Sequence, residues 1–108
     1  MNYNIEITNL FEKQLKRLAK KFPSIKTDFA ELVMTLKQNP EQGTCIGGSC
    51  YKIRIAISSK GKGKSGGARI ISYIQITQTK VYLLSIYDKS EQSNITDKEL
   101  KSWLKNLE

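Results

Sequence analysis

Between Ser58 and Arg69 the chain reads Ser58-Ser59-Lys60-Gly61-Lys62-Gly63-Lys64-Ser65-Gly66-Gly67-Ala68-Arg69, small flexible residues alternating with cations. Flexible backbone lets amides approach an anion closely and lysines supply point charges, so the pattern suits contact with phosphate. Gly63-Lys64-Ser65 looks like the end of a nucleotide-binding P-loop, but the first glycine of that motif would stand at position 58, where Ser58 stands. The segment that follows also reads as a strand, not a helix, which excludes a P-loop triphosphatase. The alternative reading is a hydrated hairpin tip whose lysines protect a strand edge.

Position favours the phosphate reading. Lys52 and Arg54 alternate with Tyr51, Ile53, Ile55 and Ile57, so they share one face of a strand, and Arg69 opens the next strand at the far end of the same loop. Residues 42–87 hold seven basic side chains and no acidic one, whereas residues 1–41 hold seven and five and residues 88–108 hold four and five. Most of the net charge of +8 therefore sits in the middle of the chain, where self-repulsion costs stability that a polyanion would relieve. Tyr51, Tyr73, Tyr82 and Tyr87 offer either stacking surfaces for unpaired bases or ordinary sheet packing.

The absence of histidine removes the usual general base, so any catalysis rests on Lys, Arg, Tyr or a carboxylate. Cys45 and Cys50 stand without histidines or a second cysteine pair, and Glu41 is the only carboxylate near them in sequence. That composition argues against zinc and for two reduced thiols, with a reversible disulfide as the alternative. No metal or cofactor is expected.

The elements that must hold these residues are legible from periodicity. A strand precedes a capping box at Asn9 and Glu12, and Phe11, Leu15, Leu18 and Phe22 follow at helical spacing. Pro23 interrupts this helix, and Ser24 is placed to cap a second with the stripe Ile25, Phe29, Leu32, Val33 and Leu36, stopped by Asn39-Pro40. The first helix carries Lys13, Lys16, Arg17, Lys20 and Lys21, read as a solvated surface. Strands are expected over 51–57, Ala68–Ile76 and Val81–Tyr87, the last two joined by a turn around Gln78-Thr79. Thr96 and Glu99 form another capping box, ahead of Leu100, Trp103, Leu104 and Leu107. The order β-α-α-β-β-β-α predicts one α+β domain over residues 1–108: a helical hairpin on a small, twisted, mainly antiparallel sheet, a C-terminal amphipathic helix, and all helices on one face. The start of the chain carries no apolar run of signal or membrane-spanning length, which predicts a cytoplasmic protein with no membrane partner.

Tyr51-Lys52-Ile53-Arg54, the Ser59–Ile71 loop and strand, and Val81-Tyr82-Leu83-Leu84-Ser85-Ile86-Tyr87-Asp88-Lys89-Ser90-Glu91 resemble the RelE/ParE toxin superfamily, closest to its RelE/HigB-like branch. Phe11-x-Lys13-x-Leu15-x-x-Leu18 and Asn39-Pro40 resemble its helical hairpin, so the likeness spans nearly the whole chain. It implies a RelE-like fold, binding in the ribosomal A site and cleavage of messenger RNA there. It also implies a cognate antitoxin that blocks the toxin and, through operator DNA, represses the shared operon. Lys52 and Arg54 resemble the family's basic strand pair, Arg69 the arginine opening its next strand, and Lys89 lies near its later active-site arginine. The catalytic tyrosine near the family's C-terminus has no counterpart in Ser93–Thr96, which leaves Tyr87 as the candidate substitute.

The chemistry implied is attack of a ribose 2′-hydroxyl on the adjacent phosphate, without a metal. Arg69 and Lys64 are assigned to the phosphoryl charge, Lys52 or Lys62 to accepting the proton, and Lys89 or Tyr87 to protonating the leaving oxygen. Arg54 is grouped with them, while Lys60, Lys62, Lys64 and Tyr73 are expected on the RNA. Two other functions fit the same fold: inhibition of DNA gyrase, as by ParE, and nucleic-acid binding without catalysis.

Overall fold

A computed structural model describes residues 2–107. The chain begins at one edge of a sheet with β1 (Asn4–Ile7) and runs through α1 (Asn9–Lys21) and α2 (Ile25–Leu36) to the opposite edge, where β2 (Thr44–Gly47) starts a meander. This returns through β3 (Cys50–Ile55), β4 (Ala68–Gln75) and β5 (Lys80–Asp88) before α3 (Asp97–Lys105) ends the fold. The sheet order is β1-β5-β4-β3-β2; β1 runs parallel to β5 and every other pairing is antiparallel. The expected α+β class holds, with β2 as an additional strand too short to show periodicity.

Helix starts illustrate how local chemistry sets the frame. Thr8, not Asn9, caps α1: its Oγ1 accepts from the Phe11 amide at 3.2 Å while donating to the β5 carbonyls of Leu83 and Leu84. An Asn9–Glu12 capping box is not formed, because Asn9 is already helical. Ser24 does not cap α2 by its side chain either; its hydroxyl bridges Asp28 and Ser59 and so ties the hairpin to the basic loop. The Thr96–Glu99 box of α3 forms as expected.

Two apolar clusters sandwich the sheet. Phe11 and Leu18 of α1 and Ile25, Phe29, Leu32 and Leu36 of α2 pack on Ile53, Ile55, Ile70, Ile74, Val81, Leu83 and Ile86. On the reverse face Ile71, Leu84 and Tyr87 meet Leu100, Trp103, Leu104 and Leu107. The expectation that all helices share one face is therefore corrected: α3 covers the other. The neighbouring apolar pairs Ile70-Ile71, Leu83-Leu84 and Ile86-Tyr87 explain why, since adjacent strand residues point to opposite faces and both need cover. The register slips between Ile71 and Ser72, which pair with Ser85 and Leu83, leaving Leu84 as the unpaired bulge residue turned toward α3.

Candidate nucleic-acid interface

Pairing in the sheet puts Arg54 opposite Arg69, and Arg69 opposite Tyr87, so the three form one row across β3, β4 and β5. Lys52 lies two residues along the same face of β3. Arg54 is exposed and Lys52 half-buried. Arg69 is 4% exposed, and its guanidinium donates to the carbonyls of Lys64 at 2.8 Å, Ala68 at 3.2 Å and Ser65 at 3.4 Å. Burial and then neighbouring Arg54 pull its pKa below the ordinary arginine value, against the opposing effect of Tyr87. Arg69 thus faces the loop backbone, while Arg54 and Lys64 face solvent.

Tyr87 ends this row on β5. Its hydroxyl is buried without a hydrogen-bond partner among the described residues, and burial raises its pKa, with Arg69 lowering it and Glu99 of α3 raising it further. A protonated, unpartnered phenol is chemically a donor in reserve. Lys89 is half-buried just beyond, its ammonium 3.5 Å from the Ser93 carbonyl and its amide bonded to Gly67 O at 3.0 Å.

The basic loop is shaped rather than loose. Short 3-10 turns form at Ser58–Lys60 and Lys64–Gly66. Gly67 lies so close to β3 that a Cβ there would collide with the Ile55 carbonyl, which makes glycine obligatory where the loop re-enters the sheet. Asp28 accepts from the amide and hydroxyl of Ser58 at 2.9 and 2.6 Å and anchors the near end to α2. Although its burial works upward, these bonds and the one from Ser24 hold the Asp28 carboxyl below its usual pKa.

Lys60 is placed differently from the expectation of an RNA contact. Its ammonium reaches Asp88 Oδ1 at 2.7 Å, Ser90 Oγ at 2.7 Å and Gly66 O at 2.8 Å, and lies 5.3 Å from the centre of the Phe22 ring. The pair is internal, and its job is to hold both ends of the loop to β5. Lys62 and Lys64, by contrast, are exposed. Tyr73 is also apart from the cations: it is roughly 13 Å from Arg69 along β4, stacked on Tyr82 at 6.1 Å, and packed toward α3.

Lys52, Arg54 and Lys64 do come together, around a crevice of about 260 Å³ at the edge of β3 that Gln42, Gly43, Thr44 and Ile53 complete. Sequence reasoning missed Gln42 and Thr44 because neither carries charge, and missed the Lys60–Asp88 pair because its partners are distant in sequence. One signal for the pair existed: Asp88 is the first carboxylate after a gap that begins at Gln42. Among the described residues, no group of three or more His, Cys, Asp or Glu side chains assembles as a metal site would need. Cys45 is exposed and Cys50 buried, both free, and burial followed by the nearby Cys45 pushes the Cys50 thiol up to about 11, the state of a structural rather than a reactive cysteine.

Comparison with known proteins agrees with this architecture. The free E. coli toxin RelE, as an arginine double mutant, superposes with a TM-score of 0.64 at 16% identity, covering 100% of both chains. A RelBE toxin–antitoxin complex from Mycobacterium tuberculosis matches with a TM-score of 0.63 at 18% identity, over 82% of this chain and 99% of the other. The intact E. coli RelBE complex gives 0.63 at 16% identity, over 80% and 95%. At these identities the structures attest the fold, and the family follows from the sequence model for the RelE toxin of the RelE/RelB toxin–antitoxin system, which matches residues 7–107. A helical hairpin on a five-stranded sheet, with a basic row across its strands and a family match from β1 to α3, makes this chain a member of the RelE toxin family.

Proposed function

We propose that this RelE-family toxin is a ribosome-dependent endoribonuclease that cuts messenger RNA in the A site and so stops translation. The observation that carries the reading is the convergence of Lys52, Arg54 and Lys64 on one crevice, backed by Arg69 and Tyr87 in the same row. In the proposed reaction the 2′-oxygen bonds to phosphorus as the bond to the 5′-oxygen breaks, leaving a 2′,3′-cyclic phosphate and a 5′-hydroxyl. Lys52 or Lys62 accepts the 2′-OH proton. Lys89 or Tyr87 delivers one to the departing 5′-oxygen. Lys64 and Arg54 offset charge building on the phosphoryl oxygens, and Arg69 positions Lys64 by holding the Lys64 and Ser65 carbonyls. No step calls on a metal ion.

The toxin would act in the cytoplasm and be held in check by a cognate antitoxin. RelB accompanies the toxin in the E. coli and M. tuberculosis complexes that share this fold, and operator DNA would be reached through that partner.

Primer extension on a defined messenger in a purified translation system tests the reading. Wild type should cut within the A-site codon, and Arg54→Ala or Lys64→Ala should lower the rate by roughly tenfold to a thousandfold if each offsets transition-state charge. Intact messenger with blocked gyrase supercoiling would instead indicate a ParE-like toxin, and neither effect would indicate binding without catalysis.

A further inference from the structure

A hollow that no step of the proposed reaction uses lies on the same side of the sheet as the cationic row. Ile53 and Ile55 face the helical hairpin, so Lys52 and Arg54, which alternate with them, face the side that α3 covers, where Tyr73 also packs. Tyr73 pairs with Cys50, two residues before Lys52 on β3. Strand geometry then sets the Cα atoms of Tyr73 and Lys52 about 8 Å apart. Around Tyr73 the hollow opens to about 380 Å³, lined by Gly48, Tyr73, Gln75, Tyr82, Leu104 and Leu107.

Its walls differ in chemistry from the crevice at β3. Tyr73 and Tyr82 stack with ring centres 6.1 Å apart and planes at 23°, and Leu104 of α3 and Leu107 just beyond it add aliphatic surface. Gly48 has a φ of +57° and nothing within 4 Å of where a Cβ would stand, so the rim there is open. Gln75 Oε1 is buried without a hydrogen-bond partner among the described residues. An apolar side chain filling the hollow would leave that acceptor unmet, which is costly for a group already taken out of water. A nucleobase meets both demands, since it stacks through its π-face and each of the four carries an N–H for Gln75. The site therefore suits a base without choosing among bases, and the nearby lysine suits the backbone that carries it.

We propose that this hollow is a base-stacking subsite for single-stranded RNA, taking the nucleotide next to the one held at Lys52. That the bound strand is then cut rests on the nuclease reading above; the capacity to stack a base does not. Tyr73 supplies the stacking surface and Gln75 accepts one N–H. Neither touches the bond that breaks, so both act on how firmly the strand is held.

The test is an NMR titration of the isotopically labelled full chain with a 2′-O-methyl trinucleotide of uridine, which lacks the attacking hydroxyl, and with an abasic trinucleotide of the same backbone. Wild type should bind the base-bearing strand about tenfold more tightly than the abasic one, the scale of one stacked base, with shifts at Gly48, Tyr73, Gln75 and Leu104. Tyr73→Ala should bring the two strands to within about twofold by weakening only the base-bearing one, and Tyr73→Phe should restore the difference. A damaged fold would weaken both strands alike and would not be rescued by phenylalanine. Equal affinities for the two strands in wild type, shifts confined to the cationic row, or a difference that survives Tyr73→Ala would overturn the subsite. Cleavage in the translation system, run in parallel, separates the two ideas. Cutting by a wild type that ignores the bases in the titration leaves the nuclease standing and removes the subsite, whereas base-dependent binding through Tyr73 with intact messenger leaves the subsite and removes the nuclease.

Discussion

Lys60 and Asp88 lie 28 positions apart in the chain and 2.7 Å apart in space, with 11% and 1% of their side chains exposed. Burial alone would raise the Asp88 carboxyl, but hydrogen bonds from Lys60 and the Ser90 amide, with the charges of Lys60 and Lys21, carry its pKa below the usual value. A carboxyl depressed in the folded state contributes stability that is complete above its unfolded pKa, roughly 4, and is lost as pH falls through the folded value. Wild type should therefore lose stability below about pH 4 more steeply than Asp88→Asn, which has no carboxyl to protonate there. Lys60→Met leaves the buried carboxylate without its cation and should cost about 3–5 kcal/mol at neutral pH, because breaking such a pair strands a charge. Urea melts at pH 7 and pH 3 check both. Parallel pH profiles for wild type and Asp88→Asn would show that the pair does not couple the loop to β5. The same geometry explains why the sequence misled about Lys60. Its neighbours Lys62 and Lys64 are identical in type, and only the fold of the chain, which brings a carboxylate against one of the three, sets it apart.

Elements whose apolar residues repeat regularly were legible: α1, α2 and α3 fall where the 3.6-residue period puts them, and β3 to β5 where alternation or β-branched runs do. What was not legible depended on contacts between elements. Thr8 became the cap of α1 because its hydroxyl also reaches β5, and β2 exists because Thr44 and Cys45 find partners in β3. The charged row was readable as a cluster, since Lys52, Arg54 and Arg69 bracket one loop; the burial of Arg69 was not, because it follows from the path of that loop. The side of the sheet that α3 covers was encoded in Ile70-Ile71 and Leu83-Leu84, pairs that a one-sided sheet would leave half exposed. None of the residues of α3 itself is fully buried. Its amides should consequently exchange with solvent well before those of β4 and β5, as a local opening below the global transition. Trp103→Ala should lower the α3 opening free energy by about 1–2 kcal/mol from lost apolar contact and leave β4 protection in place. Hydrogen exchange followed residue by residue decides this; α3 protected to the same level as β4 would make the helix part of the global cooperative unit.

Across the whole molecule the charge is partitioned so that its working part is not neutralised from within. The first helix has an internal counter-ion for Lys16 in Glu12, and Arg17 meets Glu91 at 3.3 Å, so part of the basic surface there is already paired. In the segment from Gln42 to Tyr87 no carboxylate exists to do this, and of its lysines Lys60 alone is paired with one among the described residues. Lys52, Arg54, Lys62 and Lys64 meet no carboxylate among the described residues and are open to an external anion. Single-stranded RNA releases condensed counter-ions on contact, roughly 0.7 per phosphate neutralised, so four such contacts predict a log–log salt slope of about −3 for association with a short RNA. Arg54→Ala should make the slope shallower by roughly one unit and weaken binding similarly across sequences, the signature of a phosphate contact. The α1 variant Lys13→Ala provides the contrast. If the basic row is the binding surface, it leaves the slope nearly unchanged; if net charge alone drives association, it shifts the slope as much as Arg54→Ala does. A slope near zero for wild type would mean that the toxin meets its target through an apolar contact, and the sheet surface would lose its claim to the RNA. Titrations at several salt concentrations with one RNA and three proteins therefore separate a built site from a merely basic protein.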